Sequence, residues 1–134
     1  MNKKLTAFCI FLAALTAGCG VNGRWESVSL KPEIARDKFR LTGSPSEGLG
    51  FRKTIITFYE DSTYYAETFY GPNLQTSTGQ WERDNKILTI VDEMGKPHTY
   101  DLNLDDWDNS MRLTRRIEGT EVILELRRLP LEKE

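Results

Sequence analysis

Turn residues recur at short, regular intervals from position 53 to the end of the chain, and that spacing constrains the fold more than any other feature. Residues 53–60 and 63–70 are rich in β-branched and aromatic residues and meet at Glu60-Asp61-Ser62. Gly71-Pro72-Asn73 then breaks the chain. Residues 78–83 and 86–91 flank Asp84-Asn85, a two-residue hairpin turn of the favoured kind. After the turn Asp92-Glu93-Met94-Gly95-Lys96, residues 98–104 alternate, with Tyr100, Leu102 and Leu104 on one face and Thr99, Asp101 and Asn103 on the other. Residues 111–117 and 120–129 form a last hairpin around Glu118-Gly119, in which Val122, Leu124 and Leu126 share a face. Pro130 and the charged Glu132-Lys133-Glu134 stop it.

Upstream, residues 24–30 read as a first strand. Trp25 lies on one face and Val28 and Leu30 on the other, a change of phase that calls for a bulge or a strand covered on both sides. Residues 31–52 are irregular. Lys31-Pro32-Glu33-Ile34 suits the start of a short helix, and Gly43-Ser44-Pro45-Ser46-Glu47-Gly48-Leu49-Gly50 is turn chemistry throughout. Eight strands with short sequential connections pair antiparallel as a meander. Closing such a sheet removes its exposed edges, so the expected fold is all-β, a small eight-stranded antiparallel up-and-down barrel over residues 23–130. An open two-sheet sandwich is the alternative.

The N-terminus is of another kind. Lys3 and Lys4 precede an uncharged, mostly apolar run at residues 5–15, which ends at Thr16-Ala17-Gly18-Cys19. That run is 11 residues long, against about 20 needed to span a bilayer as a helix. A basic end, a short apolar middle and small residues before a cut make residues 1–18 a secretory signal peptide. Ala17-Gly18-Cys19 resembles the lipobox of bacterial lipoproteins, with Thr16 where Leu is commonest and Leu15 one step earlier. The resemblance implies cleavage before Cys19, lipidation of its sulfur (palmitate or a similar acyl chain) and acylation of the new N-terminus. Two or more chains anchor a protein stably where one holds it only marginally. An ordinary signal peptide, with Cys19 incidental, is the alternative. Gly20 is not the Asp that resembles an inner-membrane retention signal, so the implied location is the cell envelope, on the outer membrane before the inner one. Residues 19–22 leave only a short lipidated tether.

Removing residues 1–18 from 134 leaves 116, the size of one domain with one core. Cys9 leaves with the signal and Cys19 is consumed by the lipid, so no disulfide is expected. Losing Lys3 and Lys4 takes Lys and Arg from 18 to 16 against 20 Asp and Glu, a net charge of −4. An acidic chain without a clustered basic face argues against nucleic acid as a partner.

Gly23-Arg24-Trp25 resembles the G-x-W that opens the first strand of lipocalins. Ile56-Thr57-Phe58-Tyr59-Glu60-Asp61-Ser62-Thr63-Tyr64 is similar to the hairpin of short bacterial lipocalin-like lipoproteins, with Asp61-Ser62 in place of Asp-Gly. Gly79-Gln80-Trp81-Glu82 with Asn85-Lys86-Ile87-Leu88-Thr89-Ile90 resembles their middle hairpin, and Val122-Ile123-Leu124-Glu125-Leu126-Arg127-Arg128 their closing strand. Together these touch most of residues 23–128. The resemblance implies a barrel floor closed by a basic side chain of the last strand laid over the first-strand Trp. Arg128 continues the inward phase of Val122, Leu124 and Leu126, so Trp25 and Arg128 are the expected structural pair, with Arg127 the second choice. Such an attraction is worth about 0.5–2 kcal/mol.

No enzyme is expected. His98, the single histidine, reads as a surface residue beside a turn. Asp105-Asp106-Trp107-Asp108-Asn109 lacks the ligand spacing of a calcium loop and reads as a solvated turn. The serines have no G-x-S-x-G context. No metal or other cofactor is implied. Phe58, Tyr64, Trp81 and Tyr100 are the candidate ligand-contacting residues, on strands whose faces meet inside a barrel, and an apolar lumen with tyrosine hydroxyls suits a small hydrophobic ligand. A barrel of eight strands is just wide enough to be filled by its own side chains, or to hold one small ligand. Two functions therefore stand side by side. One is an anchored lipocalin-like module that binds a small apolar molecule. The other is a protein-interaction module with a filled barrel, an envelope-complex accessory or an inhibitor of an exported enzyme. Bulky residues over an open mouth favour the first, and a filled barrel with a projecting 43–52 loop the second.

Overall fold

The computed structural model describes residues 20–42, 50–105, 107 and 109–130. The expected signal peptide (residues 1–18), Cys19, the 43–49 stretch, Asp106, Asp108 and the charged tail (residues 131–134) lie outside the described residues.

Eight strands follow one another as β1 (Gly23–Lys31), β2 (Phe51–Phe58), β3 (Thr63–Tyr70), β4 (Asn73–Asp84), β5 (Ile87–Val91), β6 (Pro97–Asp105), β7 (Ser110–Ile117) and β8 (Thr120–Leu129). Each pairs antiparallel with the next, and β8 returns to β1, so the sheet is a closed up-and-down barrel in sequence order. A 3₁₀ turn, Glu33–Asp37, lies in the long β1–β2 connection, directly after Pro32 and with Glu33 in its first turn.

The pleat explains the core. Tyr64, Ala66, Thr68 and Tyr70 of β3 are buried, as are Leu88 and Ile90 of β5, Tyr100 and Leu102 of β6, Met111 and Leu113 of β7, and Val122, Leu124 and Leu126 of β8. Each set is spaced by two, so one face of each strand lines the lumen. In β1 the register shifts between Ser27 and Ser29. That bulge lets Trp25 and Leu30 both point inward although five positions separate them, and it leaves Val28 exposed on the wall.

Three turns hold the hairpins at defined angles. Glu118 and Gly119 both have positive φ (51° and 83°), the mirror-image turn that matches strand twist. The β4–β5 turn is Asn85-Lys86, one residue later than the expected Asp84-Asn85, because Asn85 is the residue that takes positive φ (59°) while Asp84 still pairs with Ile87. The β3–β4 turn is only Gly71-Pro72, and β4 begins at Asn73, well before the expected position 78. Leu74, Gln75, Thr76 and Ser77 show no useful alternation, but β3 offers a full ladder from Thr63↔Gln80 to Tyr70↔Asn73. Backbone pairing, indifferent to side chains, extends the strand.

Gly79 is required by packing. A Cβ there would lie 2.0 Å from the Val91 carbonyl oxygen and 3.1 Å from the Tyr64 ring. The inward side of β4 is correspondingly small and polar (Gln75, Ser77, Gly79), and the Tyr64 ring takes up the space it leaves.

Candidate functional site

The described chain gathers its buried polar chemistry at the two ends of the barrel. One end, the floor, holds the start of β1, the end of β8 and the turns β2–β3, β4–β5 and β6–β7. The other, the mouth, holds the β1–β2 connection and the remaining turns.

At the floor, Trp25 and Arg128 are direct cross-strand partners. The guanidinium carbon lies 4.3 Å from the Trp25 ring centroid. Its Nη1 donates to the Asn22 carbonyl at 2.6 Å and its Nη2 to the Gly20 carbonyl at 3.0 Å. The Trp25 indole donates to the Val21 carbonyl at 2.8 Å, and Val21 is only 2% exposed. Residues 20–22 are thus packed down onto the barrel. The same geometry accounts for the glycine before the Trp: at Gly23 (φ +124°) a Cβ would sit 2.8 Å from Arg128 Nη1. Arg127 points out of the barrel, to Glu26 at 3.5 Å.

At the mouth, the β1–β2 connection turns inward and plugs the lumen. Phe39, Leu41 and Thr42 are all buried. Both backbone polar atoms of Leu41 are held by barrel tyrosines: its N–H donates to the Tyr70 hydroxyl at 3.1 Å, and the Tyr100 hydroxyl donates to its carbonyl at 2.9 Å. Thr42 donates to Ser77 at 3.2 Å. Phe39 packs edge-on to Phe51 at 5.1 Å, and Arg40 lies 4.7 Å over the Tyr70 ring. Arg115, facing inward from β7, donates to the Tyr100 hydroxyl at 3.3 Å. Burial pushes the Tyr100 hydroxyl up to about 12 against the opposing pull of the Arg115 charge, and raises Tyr64 and Tyr70 as well. Burying Phe39 and Leu41 contributes about 4 kcal/mol together. Ordering the backbone of residues 39–42 costs about 4–8 kcal/mol, so the tyrosine bonds help to decide whether the plug stays.

The expected ligand contacts are core or half-buried side chains. Phe58 and Tyr100 are buried in the core, and Tyr64 is buried with its hydroxyl toward Thr42 and Ser77. Trp81 is half-buried near the floor, edge-on to Phe58 at 5.4 Å, with its indole donating to the Tyr59 carbonyl at 3.0 Å. Two concavities of the described surface lie outside the lumen. The larger, of about 520 Å³, is on the outer wall between Val28, Asn103, Arg112 and Glu125. An apolar one of about 220 Å³ lies between the 3₁₀ turn and the β7–β8 hairpin.

His98 is not a surface residue. Its side chain is 10% exposed and its Nε2 lies 3.0 Å from Asp92 Oδ2. Asp92 Oδ1 accepts the N–H groups of Met94 and Lys96, both at 2.9 Å. The hydrogen bond from His98, then those from the backbone, hold the Asp92 carboxyl down at about 2. The pair closes the β5–β6 turn. In the β6–β7 turn Asp105 accepts the Trp107 N–H at 3.0 Å. Among the described residues no three His, Cys, Asp or Glu side chains are gathered as metal ligands.

Tyr70 was legible in principle, since it shares the inward phase of Tyr64. Leu41 was not: its segment has no period, and its place is set by the tyrosines it meets. No protein-family model matches the chain, and no curated protein matches it.

Proposed function

We propose that this chain is a bacterial envelope lipoprotein, acylated at Cys19 and held on the outer membrane, whose filled lipocalin-like barrel is a rigid scaffold for contact with another envelope protein. The observation that carries this reading is the plug. Leu41 sits where a small apolar ligand would sit, and it uses the two tyrosine hydroxyls best placed to orient one. With the lumen occupied by the chain itself, recognition falls to the outer surface. Ile34 and Met94 at the mouth are 83% and 90% exposed. Exposed aliphatic and thioether side chains suit a protein partner.

The second reading, a carrier of a small hydrophobic molecule, is supported by the buried hydroxyls of Tyr64, Tyr70 and Tyr100, which would face a ligand if residues 39–42 withdrew. Native mass spectrometry on residues 20–134, purified without detergent, separates the two. A bare chain mass with no uptake of added fatty acid or phospholipid supports the scaffold. An adduct of lipid mass that is lost on denaturation overturns it in favour of the carrier. The anchor has its own test: Cys19→Ala should leave uncleaved precursor with no lipid-shifted mass, and a normally cleaved soluble product would sink it.

A further inference from the structure

We propose that the floor of the barrel is a bilayer-docking face, with Trp107 seated among the phospholipid headgroups. This rests on the acylation of Cys19 proposed above.

Cys19 is joined by one peptide bond to Gly20, and Gly20 is not free: its carbonyl is held by Arg128 at 3.0 Å, and the next residue, Val21, is buried. One residue of extended chain spans at most about 3.6 Å. Acyl chains on Cys19 therefore leave the protein within a few ångströms of the floor, and the domain has no slack with which to turn away. Whatever the floor presents is presented to lipid.

It presents aromatic groups with polar tips. Trp107 in the β6–β7 turn is 94% exposed, Tyr59 in the β2–β3 turn is 47% exposed, and Ile87 at the start of β5 is 38% exposed. They sit on separate elements around the rim. Trp and Tyr are the residues favoured at the membrane–water boundary, where the ring is partly dehydrated and the N–H or O–H stays wet. The mouth, far from Gly20, exposes Ile34 and Met94 in their place. Charge does not drive the docking. In sequence the floor turns and adjoining strand ends carry Glu60, Asp61, Asp84, Asp105, Asp106 and Asp108 against Arg83 and Lys86, so the face suits a zwitterionic headgroup layer rather than an anionic one, and its seating should not weaken as salt is added.

The test uses the full chain expressed with its own signal, its acylation read by intact mass, and reconstituted in phosphatidylcholine vesicles carrying bromine near the headgroup end of the acyl chains. Quenching of tryptophan fluorescence in the wild type that falls in Trp107→Phe to the remainder left by the half-buried Trp81 of the floor is the expected result. As a second reporter, Ile34→Trp in the Trp107→Phe background should add no quenchable signal. An acylated protein whose quenching is absent, or is the same in Trp107→Phe, overturns the docking alone. Quenching of the tryptophan at position 34 overturns it also, because the mouth would then face the bilayer. A chain without acyl mass overturns the lipoprotein reading on which the proposal rests.

Discussion

At the floor, Trp25 is sealed by the residue directly across the ladder, and Arg128 reaches past the ring to the carbonyls of Gly20 and Asn22. At the mouth, the seal is a loop segment lowered into the lumen and held by two hydroxyls from strands β3 and β6. The floor is closed by neighbours in the sheet, so it forms whenever β1 pairs with β8. The mouth is closed by a connection that must be ordered separately. The first closure belongs to the barrel, whereas the second can in principle be undone while the barrel stands.

Four measurements bear on that contrast. Trp25→Ala removes the largest fully buried side chain and leaves a void beneath Arg128, so it should cost about 3–5 kcal/mol in urea unfolding; an unchanged melting temperature would mean that the floor closure is not structural. Leu41→Ala should cost less, about 2–4 kcal/mol. If the plug alone keeps the lumen shut, it should also allow uptake of a fluorescent fatty acid that the wild type refuses. Equal losses for the two variants, with no uptake, would show one cooperative core rather than two separable ends. Tyr70→Phe leaves the Leu41 N–H buried without a partner, which should cost about 1–2 kcal/mol, and amide exchange at residues 39–42 should rise before exchange in β7 and β8 does. The fourth effect is confined to acid. Asp92 is held at about 2, below its ordinary 3.8. Its contribution to stability is complete above that ordinary value and is lost as pH falls toward 2. Asp92→Asn should therefore flatten the acid limb of a pH–stability profile; a limb as steep as wild type would remove the Asp92–His98 pair from the account.

Much of the barrel was legible because its strands carry their own signals. Val122, Leu124 and Leu126, or Tyr64, Ala66 and Tyr70, announce a face by a period of two, and Glu118-Gly119 announces a turn by the positive φ it can adopt. The phase slip between Trp25 and Leu30 announced the bulge. Where side chains were silent, sequence reading failed: the first third of β4 is a strand because β3 has a ladder to complete, and the register of Asn85-Lys86 follows from which residue tolerates positive φ. His98 was misread for a related reason, since its partner Asp92 comes close only once the β5–β6 hairpin has formed.

Taken alone, the sequence determined what local chemistry and period can determine: eight strands in order, the inward faces of those that alternate, most of the turns between them, and a cysteine placed after a short apolar run. Only the tertiary structure decided whether the lumen is open. The answer depends on Leu41 meeting Tyr70 and Tyr100, residues 29 and 59 positions away, and no local pattern encodes a contact between an aperiodic loop and two strands brought together only by closure of the sheet.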